Sequence, residues 1–373
     1  MLNVTRVETA LDRRRFVHYP YQKYANDSHH ILALKNDATE RFRETGNPFL
    51  EHARMELFLA ERSGDVVGRI AVIDDALHND IHHENILFFG FFEAETQEVA
   101  LLLMEAVQKR ARQLGRGRIR GPVNPSMNEG AGFQVDAFDS TPFIMTSQNP
   151  EAYPGFIEAA GYSKSKDLFA WQMADCQFSS EQILSSDYTI RSLDLKNYDA
   201  EFRQLFEFYN ESRDERHETW AQIPLTPQEI SSLANSFKDL VDPATILFAS
   251  SGNELAGVAF GLPNENEVLA KLDGGKVFPM GWWKLLNKKR LISSIRLSLL
   301  EVRPKHQDKD LELALLKSFC DNARARGYND LEFSWTLEDD SKINKMLESA
   351  GAKHYKTYRL YQKNLIEKPG RPF

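Results

Sequence analysis

Residues 57–68 read LFLAERSGDVVG, and residues 246–257 read ILFASSGNELAG. Each is an apolar stretch broken by a turn signal, Ser63-Gly64 in one and Gly252-Asn253 in the other. That pattern predicts a β-hairpin twice over. A second pair lies further on, IEAAGYSKSKDLFAW (157–171) and LESAGAKHYKTYRLY (347–361). The offset from Gly68 to Gly257 nearly equals that from Gly161 to Gly351. Such agreement is the signature of an internal repeat, here two copies of one domain. Gly115 and Gly327, which each close a helical pattern, lie further apart. The second copy therefore carries extra residues in its middle, and the first carries extra residues near its end.

Working outward, the first half predicts a strand over 2–8, a helix over 9–24, the hairpin, and a strand over 85–93. The last of these, NILFFGFFE, is apolar almost throughout, as a strand covered on both faces should be. Val99, Leu102, Leu103, Ala106, Val107 and Leu114 recur at helical spacing before Gly115. A short strand (117–123), a long loop, a helix (about 150–160) and a strand (167–173) follow. The stretch 74–85 reads as a polar loop. The second half repeats the order, with helices over 197–216 and 226–241, the hairpin, a buried strand (293–302), a helix ending at Gly327, a strand (329–335), a helix (338–350) and a strand (354–362). The expected boundaries are 1–175 for the first domain, a serine-rich linker at 176–186, and 187–373 for the second, with an inserted segment at about 265–292. The class is mixed α/β. In each half the buried strand, its crossover helix and the next strand must form a parallel, right-handed unit.

The chain has 373 residues, 42% hydrophobic and 27% charged, an ordinary globular composition for two domains. Its net charge of −8 argues against broad nucleic-acid binding. Cys176 and Cys320 occupy unmatched places and imply neither a disulfide nor a zinc framework. No segment approaches the ~18 apolar residues of a membrane span, and the N-terminus lacks a signal-peptide core. A reduced, cytoplasmic setting is expected.

This order, repeated, resembles the GNAT acyltransferase superfamily. NPFLEHARMELFLAERSGDVVGRIAVIDD, FFGFFE, RGPVNPSMNEGAGF and NPEAYPGFIEAAGY also resemble a group of uncharacterised bacterial two-domain GNAT-like proteins. The resemblance implies two tandem domains, each with a mostly antiparallel sheet whose parallel strand pair splays apart. It implies acetyl-CoA or a longer acyl-CoA as co-substrate, with its pantetheine in the splay and its pyrophosphate at the following helix start. The family's phosphate loop has the form Gln/Arg-x-x-Gly-x-Gly/Ala. Here VRPKHQDKDLELALL (302–316) puts Gln307 in the first slot, with Asp310 and Glu312 in place of glycines. EAETQEVALLL (93–103) has no glycine and three glutamates. By position, the resemblance assigns Glu93, Glu301 and Tyr153 to acid–base work. It assigns Phe92, Gln97, Val302, Gln307, Lys309 and Asn344 to the cofactor. The second half has no tyrosine matching Tyr153, so the first half is the favoured catalytic one.

The loop GPVNPSMNEGAGFQVDAFDSTPFIMTSQNP (121–150) combines polar side chains with Phe133, Phe138, Phe143, Ile144 and Met145. A loop of that length in a compact domain is usually functional. Asn124, Asn128, Glu129 and Asn149 are its candidate contacts to an acceptor, a small-molecule or peptide amine. KVFPMGWWKLLNKKRL (276–291) sets Trp282, Trp283, Leu285 and Leu286 beside Lys284, Lys288, Lys289 and Arg290. It reads either as a lid or as a peripheral membrane contact. His78 and His82 are four apart, without the surroundings of a metal site. Acyl-CoA-dependent N-acyl transfer is the leading expectation. A peptidyltransferase using aminoacyl-tRNA and a non-catalytic binding or regulatory module are the alternatives, and a homodimer stays open.

Overall fold

The computed structural model describes residues 1–27, 30–43, 45–174, 188–216, 220–272, 275 and 281–365, with backbone alone at 214–216 and 308–309. The expected linker 176–186 lies outside the described residues, as does the side chain of Lys309. In the first half, β1 (Leu2–Arg6) leads into α1 (Ala10–Lys23) and α2 (Lys35–Arg41). The hairpin β2 (Ala53–Arg62) and β3 (Asp65–Asp75) follows, then α3 (Ala76–His82), β4 (Ile86–Ala94), α4 (Gln97–Gln113) and β5 (Arg118–Gly121). The two-residue β6 (Phe133–Gln134), α5 (Tyr153–Ala159) and β7 (Ser163–Met173) complete it. The second half has β8 (Thr189–Ser192), α6 (Tyr198–Arg216), α7 (Pro227–Phe237), β9 (Ile246–Ser251) and β10 (Glu254–Pro263). Among the described residues, the insertion holds three short helices, α8 (Asn266–Leu269), α9 (Gly281–Leu286) and α10 (Lys288–Leu291). Then come β11 (Ser294–Val302), α11 (Leu311–Ala325), β12 (Asp330–Leu337), α12 (Ser341–Ser349) and β13 (Lys353–Asn364).

The expected strands and long helices are present. The stretch 74–85 is a correction, since it holds α3 rather than only a polar loop. Asp75 caps that helix by accepting from the His78 amide, a local bond that periodicity does not register. Its histidines are used structurally. His78 Nε2 meets Glu84 at 3.0 Å, and His82 Nε2 meets the Gln222 carbonyl at 2.8 Å.

The larger correction concerns the sheets. The resemblance implies a sheet for each domain, and the structure joins the two in one 13-stranded sheet ordered β1-β2-β3-β4-β5-β13-β7-β12-β11-β10-β9-β8, with β6 paired to β13 off that path. The halves have exchanged their last strands. β13 runs antiparallel to β5, and β7 runs antiparallel to β12. β7 and β13 also pair with each other, pinned by Arg359 bridging Asp167 at 2.7 and 2.9 Å. Exchange covers the edges that β5 and β12 would otherwise expose.

The repeated glycines have a steric cause. A Cβ on Gly68 would lie 2.6 Å from Val99 Cγ1 of α4, and one on Gly257 would lie 2.9 Å from Leu315 Cδ1 of α11. Each helix thus packs directly onto the hairpin strand at its glycine. Val99, Leu103, Met104 and Val107 bury α4, and Leu315, Leu316, Phe319 and Ala323 bury α11.

Candidate functional site

Each half has one parallel strand pair that could open. In the first, β4 and β5 pair over Ile86–Phe88 and Arg118–Arg120. The contact then continues past β5. The Val123 amide donates to the Phe89 carbonyl at 2.9 Å, and the Phe91 amide donates to Asn124 Oδ1 at 2.6 Å. A Cβ on Gly90 would fall 1.7 Å from the Val123 carbonyl oxygen, so only glycine permits this approach. On the α4 side, Phe92, Phe133 and Tyr153 pack ring on ring, with centroids 5.0 to 5.9 Å apart. These contacts occupy the Phe89 carbonyl and the Phe91 amide, and beyond them Phe91, Phe92 and Glu93 face Pro122, Asn124 and Pro125 across the cavity described below.

Glu93 and Tyr153 do meet. The Tyr153 hydroxyl donates to Glu93 Oε2 at 2.7 Å, Tyr24 donates to the same oxygen at 2.6 Å, and the Lys23 ammonium lies 2.9 Å from it. Lys23 also contacts the Tyr153 oxygen. Burial pushes the Glu93 carboxyl up, but Lys23 and Arg69 outweigh it and hold the group below its ordinary value. A carboxylate with three donors and a lowered pKa is a weak base. This cluster fastens α1 and α5 to β4.

The second half differs. β11 and β12 pair over Ser294–Leu297 and Asp330–Phe333 and then part. Beyond that point β11 pairs, among the described residues, with β10 alone, up to Val302 opposite Gly257. The opening is a cleft of about 660 Å³ lined by Leu297 to Val302, Ser334 to Leu337, Ile343, Met346 and Leu347, roofed by Phe206, Tyr209 and Trp220. Gln307 and Lys342 stand at the start of α11, on its rim. There Lys342 donates to Glu312 at 2.9 Å and to the Gln307 carbonyl at 3.2 Å. A cation therefore offsets one of the two carboxylates that depart from the phosphate-loop pattern. Among the described residues, no side chain caps the first turn of α11.

A second cavity of about 820 Å³ lies between the halves, walled by Arg41, Phe49, Arg69, Glu93, Leu269 and others. Asn128, Glu129, Met145, Leu225, Leu233 and Phe237 line both cavities. The loop 121–150 reaches this junction because the second half grips it. Ile144 receives the Arg296 guanidinium on its carbonyl at 2.7 Å and donates its amide to Asn264 Oδ1 at 3.0 Å. Asn266 donates to the Pro142 carbonyl at 3.0 Å, and Asn128 Nδ2 donates to the Ile223 carbonyl at 2.9 Å. Arg296 is itself buried beside Glu332 at 3.5 Å.

Glu129 is the unusual group at this junction. No hydrogen bond to its carboxylate exists among the described residues, and its remaining exposure faces the two cavities. Burial lifts the carboxyl to about 7, with Arg41 opposing and Glu229 adding to the rise. A carboxylate poised near neutrality and open to a cavity can take a proton from a substrate. Beside it, the buried Asn128 Oδ1 has no partner among the described residues and can accept a hydrogen bond from a ligand.

The remaining candidates separate. Glu301, Val302 and Gln307 line the second cleft. Asn124 and Asn149 line the cavity between the halves, but Asn124 Oδ1 is taken by the Phe91 amide of β4, and Asn149 bonds within the loop, to the Gln134 amide at 2.8 Å and to the Gln134 and Pro150 carbonyls. Phe92 sits in the aromatic cluster of the first half, and Gln97 is exposed at the start of α4. Asn344 donates to the Leu337 carbonyl at 2.9 Å. Lys342 went unnoticed in the sequence, because it enters the rim from α12 and no linear motif joins it to Gln307.

No family model matches the chain. Among curated proteins it is 34% identical to "Bacterial ceramide synthase" of Caulobacter vibrioides, over 98% of both chains. It is 30% identical to "Protein YghO" of Escherichia coli, over 95% of this chain and 93% of that one. Among solved structures it resembles a tandem GNAT protein from the clavulanic acid biosynthesis pathway, with a TM-score of 0.57 at 11% identity over 99% of this chain and 100% of that one. It also resembles a GCN5-related N-acetyltransferase from Sphaerobacter thermophilus, with a TM-score of 0.54 at 12% identity over 100% and 98%. The latter two likenesses carry the fold alone. With relatives 34% and 30% identical along nearly the whole of both chains, and the GNAT fold in tandem, the chain belongs to the family of the Caulobacter vibrioides bacterial ceramide synthase and Escherichia coli Protein YghO.

Proposed function

We propose that this protein is an N-acyltransferase that moves a long acyl chain from an acyl-CoA thioester to the primary amine of a long-chain amino alcohol, a ceramide-forming reaction. The observation that carries the reading is the junction of an apolar cleft in the second half with the cavity between the halves, at Glu129. Both volumes fall within the roughly 300–1,000 Å³ range of small-molecule sites. Leu299, Leu300, Val302 and Met346 suit an acyl chain, and Lys342 with the uncapped turn of α11 suits a phosphate group. The name of the relative that matches along the whole chain supports an amide of this kind.

In the proposed reaction the amine nitrogen attacks the thioester carbonyl carbon. The new C–N bond forms, the C–S bond breaks, and the sulfur leaves as a thiolate that water protonates at the cleft mouth. The proton lost by the amine passes to the Glu129 carboxylate. Asn128 Oδ1 accepts from the amine or the neighbouring hydroxyl, orienting the lone pair. The first half supplies the loop and the wall of the acceptor cavity.

The test is turnover of palmitoyl-CoA with a long-chain amino alcohol, following thiol release and the amide product by mass spectrometry. Wild type is expected to form the amide, and Glu129→Gln to lose a factor of about 10²–10⁴ in rate, the usual contribution of a general base. Thiol release without amide, or an unchanged rate in Glu129→Gln, would refute the assignment.

A further inference from the structure

The described surface carries seven exposed large hydrophobic side chains, and three of them stand on one helix. Trp282, Trp283 and Leu286 of α9 are 44, 55 and 75% exposed. The other side of the same segment is fixed, since Leu285 and Leu291 pack on the second-half core. Lys284 donates to the Lys271 carbonyl at 2.5 Å, and Lys288 pairs with Glu265 at 2.8 Å. Lys289 and Arg290 extend the patch, both exposed and without an ion pair among the described residues. Aromatic residues beside unpaired cations stand out on a chain of net charge −8.

We infer that α9 and α10 form a docking surface for an anionic lipid bilayer. Tryptophan rings favour the headgroup boundary, and each nearby cation is drawn to an anionic surface. A protein partner would usually bury such cations against carboxylates, whereas phosphate headgroups meet Lys289 and Arg290 without any fixed register. The position favours the same occupant. Glu265, Asn266 and Leu269, next to the residues that hold α9 and α10, line the cavity between the halves. Docking here sets that cavity beside the membrane, so that a long-chain amine can enter from the bilayer without crossing water. The identity of the entering lipid rests on the function proposed above, while the docking does not.

The experiment is co-sedimentation with vesicles of equimolar phosphatidylglycerol and phosphatidylcholine, compared with phosphatidylcholine alone. Wild type is expected to pellet with the anionic vesicles and to be released at about 0.5 M salt, where the Debye length falls to a few Å. Trp282→Ala/Trp283→Ala/Leu286→Ala and Lys289→Glu/Arg290→Glu should each weaken binding about tenfold or more while melting as wild type does. Both variants should keep their turnover on an acceptor dispersed in detergent, which separates failure of docking from failure of the acyl-transfer reading. Absence of wild-type binding, or variants that bind as wild type does, would overturn the inference. So would a wild-type dimer in light scattering that the triple variant converts to monomer, because a second copy would then cover this face.

Discussion

Replacing Glu129 by glutamine should make the protein more stable and far less active, and the pH dependence of each effect is set by the same group. Burial raises the Glu129 carboxyl from its ordinary 4.5 to about 7. For an acid raised in the folded state, ionisation costs nothing below the unfolded value. The cost grows between about 4.5 and 7 and is constant above. At about 1.4 kcal/mol per pH unit the full interval would be roughly 3 kcal/mol, and partial contact with cavity water lowers this to about 1–3 kcal/mol. Glutamine keeps the shape and removes the cost. Glu129→Gln should therefore melt about 1–4 °C above wild type at pH 8, with the difference closing by pH 5. Wild-type kcat/KM should fall about tenfold per pH unit below 7, as the base is protonated. Scanning calorimetry and initial rates from pH 5 to 9 test both parts. A variant that melts below wild type at pH 8, or a wild-type rate indifferent to pH through 7, would refute the reasoning.

Three further outcomes are expected. Gly68→Ala should destabilise by about 1–3 kcal/mol and Gly257→Ala by less, measured by urea melts. The new methyl at 68 meets the Glu93 carbonyl at 2.8 Å, whereas the nearest atom at 257 is a movable leucine methyl. His52 bridges Asp75 at 3.0 Å and Glu229 at 3.3 Å across the two halves. Burial works against its charge, but those two hydrogen bonds prevail and raise it to about 9. Its roughly 1–3 kcal/mol should be present in full below pH 6.5 and vanish as the pH passes 9, so the melting difference between wild type and His52→Gln should shrink over that window. Met346→Trp, which fills the second cleft, should abolish the rise in melting temperature given by palmitoyl-CoA while the protein still folds.

The fold was largely legible because repetition doubles the signal. Two hairpins and two apolar strands at matching places leave few alternative topologies. The strand exchange was not legible. β7 and β13 have similar alternating patterns, and nothing in either sequence states which neighbour it prefers. The site was half legible. Loop 121–150 announced itself by length and composition, and its Asn128 and Glu129 reach the cavities. The close contact across the first strand pair was hidden, because it depends on Gly90, Val123 and Asn124 meeting across distant segments. Glu93 and Tyr153 matched by position and do touch, yet Lys23 and Tyr24, from a helix far back in the chain, alter what the carboxylate can do.

The crossing of β7 and β13 ties the ancestry of this protein to its mechanics. After a duplication, twin modules are ordinarily free to drift, separate or be lost one at a time. Here each twin is finished by a piece of the other, so deleting either would strip the survivor of a central strand and bare two adhesive edges. Such a pair is inherited whole. One member can then surrender its own chemistry and persist as the permanent scaffold of its sibling.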